Sequence, residues 1–173
     1  NAEYYVDFGP VQITPGASIV NRTLDANSMA AIVTTINSYT NLDTAGNYVD
    51  RFIPKYNSYA YSFYNTLNLG NFSWYAEYAG KTSEAIYNNV GKLTNTPGSV
   101  MFTSLNYSVK GFGATAQFKR TDHFVFRTSP NEQLLKGMIS FQPPLSKQNS
   151  LRLPARYMPA TQELGELAYE ADF

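Results

Sequence analysis

The sequence predicts an all-β, antiparallel, up-and-down transmembrane β-barrel, present as a segment of a larger barrel. Three observations lead there. Apolar and polar residues alternate with period two over several segments of about ten residues. Short and long connections also take turns along the chain. Finally, 14 Tyr and 11 Phe accompany a charged fraction of only 15% in 173 residues. A soluble domain carries roughly 25% charged residues. Tyrosine rings, apolar in body and polar at the tip, suit a membrane–water boundary.

The expected strands are 2–8, 11–21, 57–69, 72–81, 99–109, 112–126, 134–142, 149–154 and 164–173. The clearest hairpin places Tyr59, Tyr61, Phe63, Leu67 and Leu69 on one face, with Tyr64 as the exception among polar neighbours. After Gly70–Asn71, Phe72, Trp74, Ala76 and Tyr78 continue that face, while Ser73, Tyr75, Glu77 and Lys81 oppose it. Around Lys110–Gly111 the pattern repeats, with Met101, Leu105, Tyr107 and Val109 leading to Phe112, Ala114, Ala116 and Phe118. In the last segment Leu167, Tyr169, Ala171 and Phe173 oppose Glu166, Ala168, Glu170 and Asp172.

Short links are expected at Gly9–Pro10, Gly70–Asn71, Lys110–Gly111 and Gln142–Asn149. Longer ones are expected at 22–56, 82–98, 127–133 and 155–163. Outer-membrane barrels separate short periplasmic turns and long external loops onto opposite rims. Nine strands is an odd number for a bacterial single-chain barrel, and an open sheet would leave unpaired backbone in lipid. The expectation is therefore one barrel segment over 1–173, incomplete at both ends. Within the first long link, Met29, Ile32, Val33 and Ile36 form a helical stripe, so a short helix is expected near 28–37, capped by Asp25, Asn27 or Ser28. A β-sandwich shares the alternation and is the rival architecture.

Composition narrows function by exclusion. The 13 Lys+Arg balance 13 Asp+Glu, which argues against nucleic acid as a partner. There is no cysteine, hence no disulfide, thiolate metal site or cysteine nucleophile. His123 is the sole histidine; without a Gly-x-Ser-x-Gly elbow or a second ligand it reads as a polar residue at a strand end. Glycines sit at turns and form no phosphate-binding pattern. No catalytic residue, cofactor or metal site is expected, and the chain is not read as an enzyme.

Two features invite a functional reading. Glu166, Glu170 and Asp172 share a face of the last strand, with Glu163 nearby. They could select cations or bind calcium in a lumen. The plainer alternative is a solvated interior balanced by Lys119, Lys136 or Arg152. In addition, Asp43-Thr44-Ala45 resembles the Bacteroidota O-glycosylation pattern, which makes Thr44 a candidate modification site. Three matches to the eukaryotic glycosylation sequon, at Asn21, Asn71 and Asn106, are chance.

The paired strands, together with Asn47-Tyr-Val-Asp-Arg-Phe-Ile-Pro54, Leu153-Pro-Ala-Arg-Tyr157 and Gly165-Glu-Leu-Ala-Tyr-Glu170, resemble a family of large Bacteroidota outer-membrane barrel proteins. That family is known mainly as a domain of unknown function. The resemblance covers the whole chain and implies a bacterial outer-membrane location and a barrel fold. It supplies no catalytic residue or substrate. A TonB-dependent transporter fragment is the nearest rival, but no plug-like segment is readable. The functions expected are a channel or transport barrel, or a scaffold subunit of an outer-membrane complex. The partners would be outer-membrane lipid, lipopolysaccharide and other subunits. A soluble carbohydrate-binding or adhesion module is the alternative.

Overall fold

Two-residue connections close the central hairpins, and they do so because glycine supplies the left-handed backbone that such turns need. Gly70 (φ 54°) links Leu69 to Phe72, and Gly111 (φ 84°) links Val109 to Phe112. A computed structural model describes residues 1–132, 136–139 and 164–173.

The described residues form one antiparallel sheet of eight strands: β1 (Ala2–Glu3), β2 (Val6–Asp7), β3 (Val11–Thr23), β4 (Asn57–Leu69), β5 (Phe72–Tyr87), β6 (Leu93–Val109), β7 (Phe112–Asp122) and β8 (Gly165–Asp172). From β3 onward each strand pairs with its sequence neighbour, while β1 and β2 both lie against β3. From β3 to β8 the order is up-and-down, but β7 pairs directly with β8, whereas the expected order set 112–126 beside 134–142. The sheet is not closed among the described residues: the β1–β2 side and β8 are its two margins.

Several boundaries differ from expectation, each for a local reason. The expected strand 2–8 is two short ones. Tyr4 donates to the Pro15 carbonyl at 3.0 Å, but Pro15 has no N–H to return the bond, so the ladder breaks there. The expected link 82–98 is mostly strand: β5 runs to Tyr87, β6 starts at Leu93, and a tight turn at 88–92 joins them. Strand 112–126 ends at Asp122, because His123 adopts φ 47° and turns the chain out of the ladder. Strand 149–154 and the Gln142–Asn149 link lie outside the described residues. Of 134–142 only 136–139 are described, where Met138 makes an isolated bridge with Arg127.

The helix forms as the stripe requires. α1 (Ala26–Asn37) is capped by Asp25, whose carboxylate accepts from the Ser28 N–H at 2.7 Å. It buries Met29, Ile32 and Ile36 against Leu24, Ala85 and Leu93, with Tyr39 and Phe52 alongside. Arg51 fixes the following loop to the helix end. It donates to the Asn37 and Tyr39 carbonyls and stacks on Tyr48 at 3.5 Å.

The two faces of the sheet differ in an unusual way. Register aligns Val11, Leu69, Phe72 and Tyr107 in one row, and Ile13, Leu67, Trp74, Leu105, Ala116 and Ala171 in the next. This apolar face is the exposed one: Phe63 is 60% exposed, Tyr169 83% and Phe173 88%. No second sheet of the described residues lies on it. Its one tryptophan, Trp74, has its indole N–H satisfied by Thr103 Oγ1 at 2.8 Å. Aromatic rings also cover glycines on the paired strand, Tyr61 over Gly80 on this face and Tyr64 over Gly16 on the other. The opposite face holds Ser18, Ser62, Ser104, Lys81, Lys119 and Thr121, mostly buried.

Candidate functional site: the covered polar face

The polar face is lined from β3 to β7 by a single concavity of about 500 Å³, touching Ser18, Ser62, Glu77, Phe102 and Lys119. Neighbouring strands lie about 4.8 Å apart. One cavity reaching across five strands therefore means that the sheet curls toward its polar side. Serines line up across it, with Ser18 Oγ and Ser62 Oγ 2.8 Å apart.

The most heavily charged point lies near the end carrying the longer connections. Between Lys81 and Glu84 the β5 ladder holds one residue more than β6, since Lys81 pairs with Gly98 and Glu84 with Thr96. Strict alternation would send residues three apart to opposite faces. This bulge brings both to the same one. Lys81 Nζ donates to Glu84 Oε1 at 2.6 Å and to the Val125 carbonyl at 2.7 Å. The other Glu84 oxygen pairs with Arg22 Nη2, which also donates to Ser58 Oγ at 2.8 Å. Arg22 is 5% exposed, Lys81 3% and Glu84 4%. Burying such charges is tolerable only when they are paired and hydrogen-bonded.

The chain after β7 roofs this cluster. The left-handed turn at His123 carries Phe124 and Phe126 onto the polar face, where both are buried. Gly98 makes room: a Cβ there would sit 2.3 Å from the His123 carbonyl oxygen. Phe126 lies beside the Arg22 guanidinium, and its carbonyl accepts from Ile139 N–H at 2.9 Å. Beyond the roof is a second cavity of about 470 Å³, bordered by Arg22, Glu84, Ile86, Val125, Arg127 and Pro130.

The residues singled out from sequence fall as follows. Glu166, Glu170 and Asp172 do share the polar face of β8, opposite Thr121, Gln117 and Thr115. Lys119 Nζ pairs with Glu166 at 3.3 Å, so at least that carboxylate is balanced as the plainer reading required. Lys136 instead lends its carbonyl to Arg127. Glu163 and Arg152 lie outside the described residues. No group of three His, Asp or Glu side chains converges as a metal site among the described residues. His123 contacts its neighbour Asp122, and among the described residues no nucleophile is hydrogen-bonded to it. Thr44 is exposed in a turn organised by Asp43, whose Oδ1 accepts from Ala45 and Asn47 N–H groups at 2.9 and 2.8 Å.

Sequence reasoning missed the Arg22–Glu84–Lys81 cluster. Arg22 and Glu84 fell in expected links, and only the bulge brings Glu84 into phase. A glutamate out of step with Glu77 and Lys81 was the available signal.

No curated protein matches the chain. No solved structure matches it either. A family model does, over residues 2–173, and by that match the chain belongs to the family of unknown function DUF6029.

Proposed function

We propose that this chain is part of the wall of a bacterial outer-membrane β-barrel that serves as a scaffold or a channel, its polar face turned to the interior and its aromatic face to lipid. The observation that carries this reading is the inverted polarity of the sheet. In a water-soluble sheet the charged side is wet and the apolar side is packed. Here Lys81, Glu84, Arg22 and Lys119 are buried while Phe63, Leu167 and Tyr169 stand exposed. On the exposed face Arg120 is the first charge met coming from the tight turns, level with Met101 and Leu167. From Tyr59 to Leu69, β4 matches the roughly 9–11 residues that a tilted strand needs to cross the hydrocarbon. The two sheet margins then require pairing, because unpaired backbone in lipid costs several kcal/mol per group.

The roof formed by Phe124 and Phe126 favours a scaffold over an open pore, since it fills the polar side next to the long connections. Adjacent residues at one depth provide the test of membrane insertion. Leu105 lies on the aromatic face and Asn106 on the polar face. In lipid, Leu105→Arg should cost about 2–4 kcal/mol near the midplane, while Asn106→Arg should be tolerated. Unfolding from lipid vesicles measures both. Equal tolerance of the two changes, with the protein dissolving in buffer without detergent, overturns the reading and favours the soluble module. Conductance across a planar bilayer separates channel from scaffold.

A further inference from the structure

We propose that the concavity on the polar face is a binding site for an organic ammonium ion with an apolar body, held by the Glu77 carboxylate beside the Tyr75 and Phe102 rings. Glu77 is half-buried and lines the concavity. Its Oε2 accepts from the Tyr75 hydroxyl at 2.7 Å, and among the described residues it has no other hydrogen-bond partner and no ion pair. Lys119, the cation of the same lining, is paired with Glu166 at 3.3 Å. It also stands two strands away from Glu77, with Phe102 at the register position between them, a separation of about 10 Å across the sheet. Glu77 thus brings a carboxylate to the cavity wall with no cation against it. A charge drawn partly out of water favours an oppositely charged partner.

The surroundings of Glu77 complete the match. The Tyr75 and Phe102 rings both line the concavity, with centroids 6.0 Å apart and planes tilted by 53°. Aromatic faces attract cations, and recognition of alkylated ammonium groups is a recurrent use of that attraction. Tyr75 serves twice, since its hydroxyl also fixes the carboxylate. Val20, Val100, Phe124 and Ile139 add apolar surface, which suits a ring or hydrocarbon attached to the ammonium. A volume of about 500 Å³ lies within the range of small-molecule sites. The inference stands whether or not lipid covers the aromatic face.

Calorimetric titration of the full chain in a neutral maltoside detergent tests this with three ligands of like shape and different charge: benzylamine, benzyl alcohol and benzoate. Benzylamine, an ammonium ion at neutral pH, should bind saturably and roughly tenfold or more tighter than benzyl alcohol, with benzoate weakest. Glu77→Gln keeps the shape and an acceptor for Tyr75, and it should bring benzylamine down to the level of benzyl alcohol. Phe102→Leu keeps an apolar side chain without the ring and should weaken benzylamine by about two- to fivefold. The ligand series needs no variant, so it decides the matter even where a substitution prevents folding. Absence of saturable benzylamine binding overturns the site, as does benzyl alcohol or benzoate binding as tightly. An unchanged benzylamine affinity in either folded variant overturns it as well.

Discussion

Lys81 and Glu84 lie on the same side of β5, 2.6 Å apart, only because one extra residue sits between them in the ladder. Together with Arg22 they form a buried unit in which one carboxylate bridges two cations. Glu84→Gln leaves Arg22 and Lys81 facing each other without their shared anion. Breaking a buried pair from one side costs about 3–5 kcal/mol, and that loss should appear as a lower denaturant midpoint. Deleting Ser83 removes the extra residue yet leaves Lys81 and Glu84 two apart on one face of a regular strand, so it should cost less than Glu84→Gln.

Gly98 holds the roof in place by absence of a side chain. Gly98→Ala forces the His123 carbonyl away, because a backbone oxygen at 2.3 Å cannot stay. Overpacking of this kind costs about 1–3 kcal/mol. The expected outcome is faster proteolysis between Phe124 and Pro130, with the paired strands β4 to β6 still protected. Unchanged cleavage there would show that the roof does not depend on this contact.

The long connection before β4 should loosen in acid. Asp25 is held below the usual carboxylate range by the Ser28 N–H, Asp43 by the Asn47 N–H, and Asp50 by the Lys92 ammonium. A depressed carboxylate contributes stability above its unfolded pKa of about 3.9, and that contribution fades as pH falls through the lower folded value. Protease sensitivity of residues 38–56 should therefore rise below about pH 4. Asp50→Asn should make the part anchored by Lys92 sensitive already at neutral pH.

Thr44 stands exposed at the turn set by Asp43. If the Asp43-Thr44-Ala45 pattern is used, protein from its native source should be heavier than the sequence mass, and Thr44→Ala should remove the excess. An intact mass equal to that of the unmodified chain would end this reading.

The sequence made the paired strands legible because each strand alternates cleanly and each tight turn carries a glycine. Tyr59 to Leu69 and Leu167 to Phe173 could be assigned to faces by counting alone. The α1 stripe and its Asp25 cap were equally local. What counting could not reach were events that break the period: the bulge after Lys81, the left-handed His123, and the missing N–H of Pro15. The acidic residues of β8 were placed on their correct face. Their pairing was open, since it took the register to bring Lys119 to Glu166. Arg22 stayed hidden because its partners lie 36 and 62 positions away.

Trp74 gives this molecule a built-in optical probe. It is the sole indole, and with its N–H already given to Thr103 it needs nothing from solvent. Emission from a single ring on the aromatic surface reports that surface alone, without labelling. Under the proposed membrane placement, brominated acyl chains should quench it in proportion to contact, so bromine placed at successive carbons would measure how deep this row of side chains sits.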